Sequence, residues 1–291
     1  MGRGPGGRLR SMSARRRLTL VGCYGIIAVF VVFFLFPPYW MALTSFKTNQ
    51  EIESLAGVPF LIQQGATLQH YRDLFTKTDF LLFFRNSVVV TVVAVSVSMV
   101  ISVLAAYGLS RLGFLGAGLL GTGVFLTYLV PETLLFIPLF KIVGWLGLLN
   151  TKWAAALVYP TAIVPFCTWI LIGYFASIPK ELDEAALVDG AGHLQMLLRI
   201  FLPVATPGLV AATLFAFTAS WAGFLYPMAF IFSNEEQLLT VGTVTALIRG
   251  DSYFWGGLMA GALVACLPPV ILYVFLMDYY ISGLTAGSTK G

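Results

Sequence analysis

Apolar positions in this chain run together in six long stretches, at about 18–43, 87–109, 119–140, 153–175, 204–232 and 255–281. Each is close to or beyond the roughly 20 residues that carry a helix across a hydrocarbon core of about 30 Å. The pattern predicts an all-α, polytopic membrane protein of six transmembrane helices in one domain, 18–282, with a tail at 1–17 and another at 283–291. Two polar interruptions are longer than turns, besides a loop at 233–253 that holds Glu235, Glu236, Arg249 and Asp251 and is expected outside. One, 44–85, holds Lys47, Glu51, Glu53, His70, Arg72, Asp73, Lys77 and Asp79, and is expected outside, partly structured, with His70 a solvated histidine. The other, 177–203, packs Lys180, Glu181, Asp183, Glu184, Asp189, His193 and Arg199 between two apolar stretches. So dense a charged excursion needs water or a protein partner.

The second interruption reads as two short helices. Pro179 suits a first helical position, and Glu181, Asp183 and Glu184 favour the positive end of a helix dipole. Leu182, Ala185, Ala186 and Val188 give an apolar, small-sided surface before Asp189 and Gly190 end the turn. Leu194, Leu197, Leu198 and Phe201 then recur at helical spacing, in a helix expected to stop before Pro203.

Inside the spans, small residues at Ser96, Ser98, Ser102 and Ala105 allow helices to approach closely in lipid. Pro160 and Pro165 predict a kinked fourth span. Glu132, beside Pro131 in the third, is the one acid placed at depth; it needs a cavity or a partner, and a substrate pathway and an interhelical bond both remain open.

Composition sharpens the class: 58% hydrophobic and only 10% charged residues belong to a membrane protein. Of 17 lysines and arginines, Arg3, Arg8, Arg10, Arg15, Arg16 and Arg17 precede the first stretch, which places that tail in the cytoplasm and favours anionic lipid over nucleic acid as its contact. An even number of spans then puts both termini inside. The first stretch is too long for a signal core and ends in Pro37-Pro38-Tyr39-Trp40 rather than a cleavage pattern. Cys23, Cys167 and Cys266 lie singly in apolar stretches, as packing residues without metal-ligand or disulfide spacing. No phosphate-binding G-x-x-x-x-G-K-[ST] loop and no nucleophile or H-E-x-x-H pattern occurs, so neither an ATPase site nor an enzyme site is expected.

One match names a family. Glu184-Ala185-Ala186, Asp189-Gly190-Ala191 and Leu202-Pro203 together resemble the EAA motif of permease subunits of bacterial ABC importers. The resemblance covers most of the chain and narrows to carbohydrate importers of the maltose type, on Lys47, Asn86-Ser87, Gly147 to Thr151, Ile178 to Leu182, Trp221 with Phe224-Leu225, and Gly283 to Gly287. Where that branch often has Asn-Glu after the tryptophan, this chain has Ala222-Gly223. The resemblance implies that Glu184, Ala185, Ala186, Asp189 and Gly190 form a coupling helix seated in an ATP-binding subunit. It implies a second, homologous permease, two ATP-binding subunits that hold ATP and Mg, and an extracytoplasmic solute-binding protein, with no cofactor in this chain. For a sugar path, Trp169, Trp221 and Tyr226 join Glu132 as candidates. Polyols or glycerol phosphates as cargo, or a non-transporting membrane scaffold, are the alternatives.

Overall fold

The computed structural model describes residues 14–54, 58–249 and 252–288. Arg3, Arg8, Arg10, Asp251 and Lys290 lie outside the described residues, as do the side chains of Arg15, Arg16, Arg17, Arg249 and Asp278. In chain order the helices are α1 (Ala14–Phe46), α2 (Asn49–Glu53), α3 (Gln69–Lys77), α4 (Phe80–Arg111), α5 (Ala117–Tyr128), α6 (Glu132–Trp145) and α7 (Lys152–Ser177). They continue with α8 (Glu181–Val188), α9 (His193–Met196), a π turn at Leu197–Phe201, α10 (Leu202–Val204), α11 (Thr206–Trp221), α12 (Leu225–Phe230), α13 (Leu239–Leu247) and α14 (Trp255–Ser288). A 3₁₀ turn at Asn234–Glu236 and a two-residue β pair, β1 (Ile248–Arg249) with β2 (Ser252–Tyr253), complete the chain.

Five helical segments are long and apolar enough to cross a membrane, and α5 with α6 make a sixth only as a pair bent by 94°. The third apolar stretch is therefore a broken span and not one straight helix. Pro131 explains the break: it has no N–H to extend α5, and it sits as the N-cap of α6 with Glu132 in the first turn. α7 runs through Pro160 and Pro165 as one helix, with Ser102 Oγ donating to Val164 O beside the second proline.

The core centres on α4 against α7. Val90, Ala94, Ser98, Ser102 and Ala106, four residues apart on α4, are all at 0% exposure. That is one stripe of a helix with small side chains, the face along which two backbones approach closely in lipid. Ser98 and Ser102 fulfil the expectation; Ser96 is exposed and Ala105 half-buried. Of the cysteines, Cys167 packs in this core, whereas Cys23 and Cys266 are exposed.

The polar segment after α1 is folded tightly. His70 is buried at 8% exposure, with Nε2 2.8 Å from Lys47 O and its ring pressed on the Cα of Gly256, where no side chain would fit. It is not a solvated histidine, because α3 packs on α14 and the ring fills the seam. Lys47 Nζ donates to Pro59 O at 2.9 Å and lies 3.5 Å from Glu51 Oε1. The Glu51 carboxylate accepts from Gln63 N at 2.9 Å and Gln64 N at 3.1 Å. The predicted outer loop at 233–253 also holds structure: α13 buries Leu239, Val241, Gly242, Thr243 and Leu247.

Burial alone would raise the Glu51 carboxyl, but the N–H groups of Gln63 and Gln64 and the Lys47 ammonium hold it below the usual carboxylate range. A carboxyl with a lowered folded value stabilises the fold above its unfolded value of about 4.3 and stops doing so as pH falls through the folded value. Protection of the amides at 58–64, corrected for intrinsic exchange, is therefore expected to fall in the native chain as pH drops below the unfolded carboxyl value and through the lowered folded one. Glu51→Gln should exchange rapidly there already at pH 7 and lose that pH step; an unaltered profile in the variant would rule out the anchor.

Candidate functional site

The site is built where the C-terminal ends of α4 and α7 meet the segment 177–203. A helix ends with four carbonyls lacking intrahelical partners and with partial negative charge. At the end of α7, Arg111, the last residue of α4, supplies what is missing. Its Nη2 donates to Phe175 O and, at 2.6 Å, to Ile178 O. Its Nη1 pairs with Asp183 Oδ2 of α8 at 3.0 Å, and its Cζ lies 4.7 Å from the centre of the Phe201 ring. The side chain is 5% exposed. A planar fork reaches all four partners at once; a lysine ammonium is a point charge and does not.

One turn earlier on α4, the Tyr107 ring meets Phe201 edge-on at 5.3 Å, and its hydroxyl is 3.4 Å from His193 Nδ1. Two side chains of α4 thus hold both halves of the polar segment. Arg111 is the residue that sequence reasoning missed. It stands at the end of an apolar stretch, and only its nearness to α7 and α8, invisible in the pattern, distinguishes it from a loop charge.

The turn between the halves is set by backbone geometry. Gly190 has φ +77°, with Gly190 N donating to Leu187 O and Ala191 N to Ala186 O, the paired bonds of a Schellman helix end. Gln195 Oε1 then accepts from Gly192 N at 3.2 Å to open α9. The helix does not stop before Pro203: the π turn and α10 carry it to Val204, with the proline in the first turn of α10.

Of the motif residues, only Ala186 is buried, seated against the core; Glu184, Ala185, Asp189 and Gly190 are exposed. Leu182, Leu187, Val188, Leu194 and Leu198 are exposed too, whereas Leu197 and Phe201 turn inward. The result is an acidic helix ringed by uncovered apolar side chains, its inner face fixed by Asp183 and Ala186.

The deeper candidates separate. Trp221 is a packed core residue: it is 6% exposed, its Nε1 donates to Ala265 O at 2.9 Å, and its ring stacks on Phe217 with Phe84 edge-on. Indole N–H groups need such a partner when buried, and α14 supplies it. Trp169 is exposed and stacked on Phe125 at 4.8 Å. Glu132 is exposed at the α5–α6 bend. Tyr159 and Tyr226 are buried, and neither hydroxyl has a hydrogen-bond partner among the described residues. No group of three or more metal-ligating side chains occurs among the described residues.

Residues 98–285 match the family of binding-protein-dependent transport system inner membrane components. The chain belongs to that family. It is 39% identical over 279 residues to the inner membrane ABC transporter permease protein YcjP of Escherichia coli (strain K12), covering 95% of this chain and 99% of that one. It is 33% identical over 287 residues to the trehalose/maltose transport system permease protein MalG of Thermococcus litoralis, covering 97% and 100%. Its fold matches a chain of a bacterial ABC transporter involved in import of the acidic polysaccharide alginate, with a TM-score of 0.78 at 22% identity over 92% of this chain and 99% of that one.

As a transport permease, the chain has its motif helix where a partner can reach it and its clamp where none can. Gly190→Ala puts a Cβ on a left-handed residue, at a cost of about 1–2 kcal/mol. Amide exchange within 181–193 is expected to accelerate while the rest of α4 and α7 stays protected; no change in 181–193 would mean that the turn does not depend on this glycine.

Proposed function

We propose that this permease is one of two homologous membrane subunits of an ATP-driven importer that moves a sugar or oligosaccharide across the cytoplasmic membrane. Two ATP-binding subunits hold ATP and Mg, one of them docking on α8 from the cytoplasm, and a solute-binding protein delivers substrate from outside. Both termini face the cytoplasm. The observation that carries the reading is the uncovered acidic helix α8, held by its inner face and offering Glu184, Ala185, Asp189 and Gly190 outward. The carbohydrate class follows the trehalose/maltose relative and the lines of resemblance at Lys47, Asn86 and Asn150.

Vectorial transport needs no chemistry from this chain. ATP binding draws the partner subunits together, the docked loops move, and access switches from outside to inside. The nucleotide can drive that switch only by binding the two states with different affinity. In the path, Glu132 supplies the hydrogen-bonding group, and Trp169 and Tyr226 are the aromatic candidates.

Reconstitution with the cognate subunits in proteoliposomes tests both parts. Glu184→Lys is expected to assemble and to hydrolyse ATP while sugar uptake falls about tenfold or more, equivalent to some 1.4 kcal/mol of lost coupling. Uptake at the native rate would remove α8 from the coupling role. Glu132→Gln is expected to change the affinity or rate of uptake in an assembled complex; unchanged kinetics would make the carboxylate a structural group of the bend.

A further inference from the structure

Among the spans of the described residues, α4 alone contains no proline. α1 has Pro37 and Pro38, α6 has Pro138, α7 has Pro160 and Pro165, the α11–α12 span has Pro207 and Pro227, and α14 has Pro268 and Pro269. Prolines and breaks are where helices bend, so α4 is the stiffest crossing element of the fold. Its 32 residues span about 48 Å at 1.5 Å per residue.

Both ends of α4 are tied to loops by side chains. At the inner end Arg111 and Tyr107 grip the segment 175–201, as described above. At the outer end Asn86 Nδ2 donates to Glu235 O at 2.8 Å and to Gln237 O at 3.1 Å, and Ser87 Oγ accepts from Leu239 N at 2.8 Å. Phe83 closes the same end by lying flat against the Cα of Gly242 in α13. Asn86 is fully buried, so these bonds are not exchanged with water. Asn86 and Arg111 are 25 residues apart, about 38 Å along the helix.

We propose that α4 is the rod by which displacement of the cytoplasmic loop reaches the external segment 231–239, with Arg111 as its inner joint and Asn86 as its outer joint. The inference rests on the reading that nucleotide-driven partners move α8. A load applied to α8 enters α4 through the Asp183–Arg111 pair and through Phe201, and the same guanidinium anchors the end of α7. The stripe from Val90 to Ala106 keeps α4 seated on α7, so the load emerges at Asn86 as movement of the carbonyls it holds. Arg111 and Asn86 are positioning residues; neither needs to touch substrate.

The test uses the full complex with its cognate subunits in lipid nanodiscs and the non-hydrolysable nucleotide AMP-PNP as the probe. Amide exchange is read at 181–188 and at 231–239, with and without the nucleotide. In the native complex AMP-PNP is expected to change exchange at 231–239 by about threefold or more. Arg111→Gln loses both the charge facing Asp183 and the fork onto the Phe175 and Ile178 carbonyls; Asn86→Ala loses both outer bonds.

Each variant is expected to lose more than half of the response at 231–239 while the response at 181–188 persists. A purely structural role would raise exchange without nucleotide yet leave the response intact. A native-sized response at 231–239 in either assembled variant would overturn the rod, as would no response there in the native complex. Should a variant fail to assemble, Asp183→Asn replaces the inner one and Ser87→Ala the outer one, with the same two outcomes. Sugar accumulation by the native complex is measured separately in sealed proteoliposomes: its absence counts against the import reading, whereas the AMP-PNP response needs no turnover and judges the rod by itself.

Discussion

Helix α7 carries charges of opposite sign at its two ends, and the arrangement of the rest follows from that. Its first residue donates from Lys152 N to Glu236 Oε2 at 3.0 Å, and its last carbonyls accept from Arg111. An acid at the N-terminus and a base at the C-terminus are what the helix dipole favours, and near hydrocarbon there is little water to do the work instead. Burial alone would raise the Glu236 carboxyl, but the Lys152 N–H, its ammonium and the charge of Arg85 hold it below the ordinary range. Each of the two end groups belongs to another part of the chain, so closing α7 fixes the segment 234–236 and the C-terminal end of α4 in one step.

The same economy explains why polar residues that look functional in the sequence turn out to be ties between segments. Asn150, at φ +61°, accepts from Phe232 N and Ser233 N on Oδ1 and donates its own N–H to Phe230 O. Asn86 holds two carbonyls of the following stretch, and Lys47 holds Pro59 O. Each serves irregular backbone that lacks a helix or sheet to pair with, a need that a buried loop cannot leave unmet. Residues that carried the resemblance to carbohydrate importers thus carry it as architecture.

How much of this was legible depends on the range of the interaction. The six apolar stretches, the exposed charged segment and the turn at Gly190 are local, and the chain spells them out. The broken third span was also written locally, in Pro131 followed by Glu132, but a continuous apolar run of 22 residues outweighed the pair. His70, Trp221 and Arg111 could not be placed this way. Whether an isolated polar side chain is solvated or buried is decided by a partner far along the chain: Gly256 for His70, Ala265 for Trp221, Phe175 and Asp183 for Arg111. Helix α13 was hidden for a related reason, since nine residues are too few to signal a span and its burial comes largely from α4 and α14, far along the chain.

The two alanines of the motif show why a pattern of residue types can be strict without any chemistry at the position. Ala186 lies at 5% exposure against the core and gives its carbonyl to Ala191 N, so a larger side chain there would lift α8 off the clamp. Ala185, its neighbour, is exposed. One alanine therefore records the fit of α8 to its own fold, and the proposed docking of an ATP-binding subunit would give the other its reason. Glu184 stands beside the second of these, on the side that the Asp183 tie leaves free.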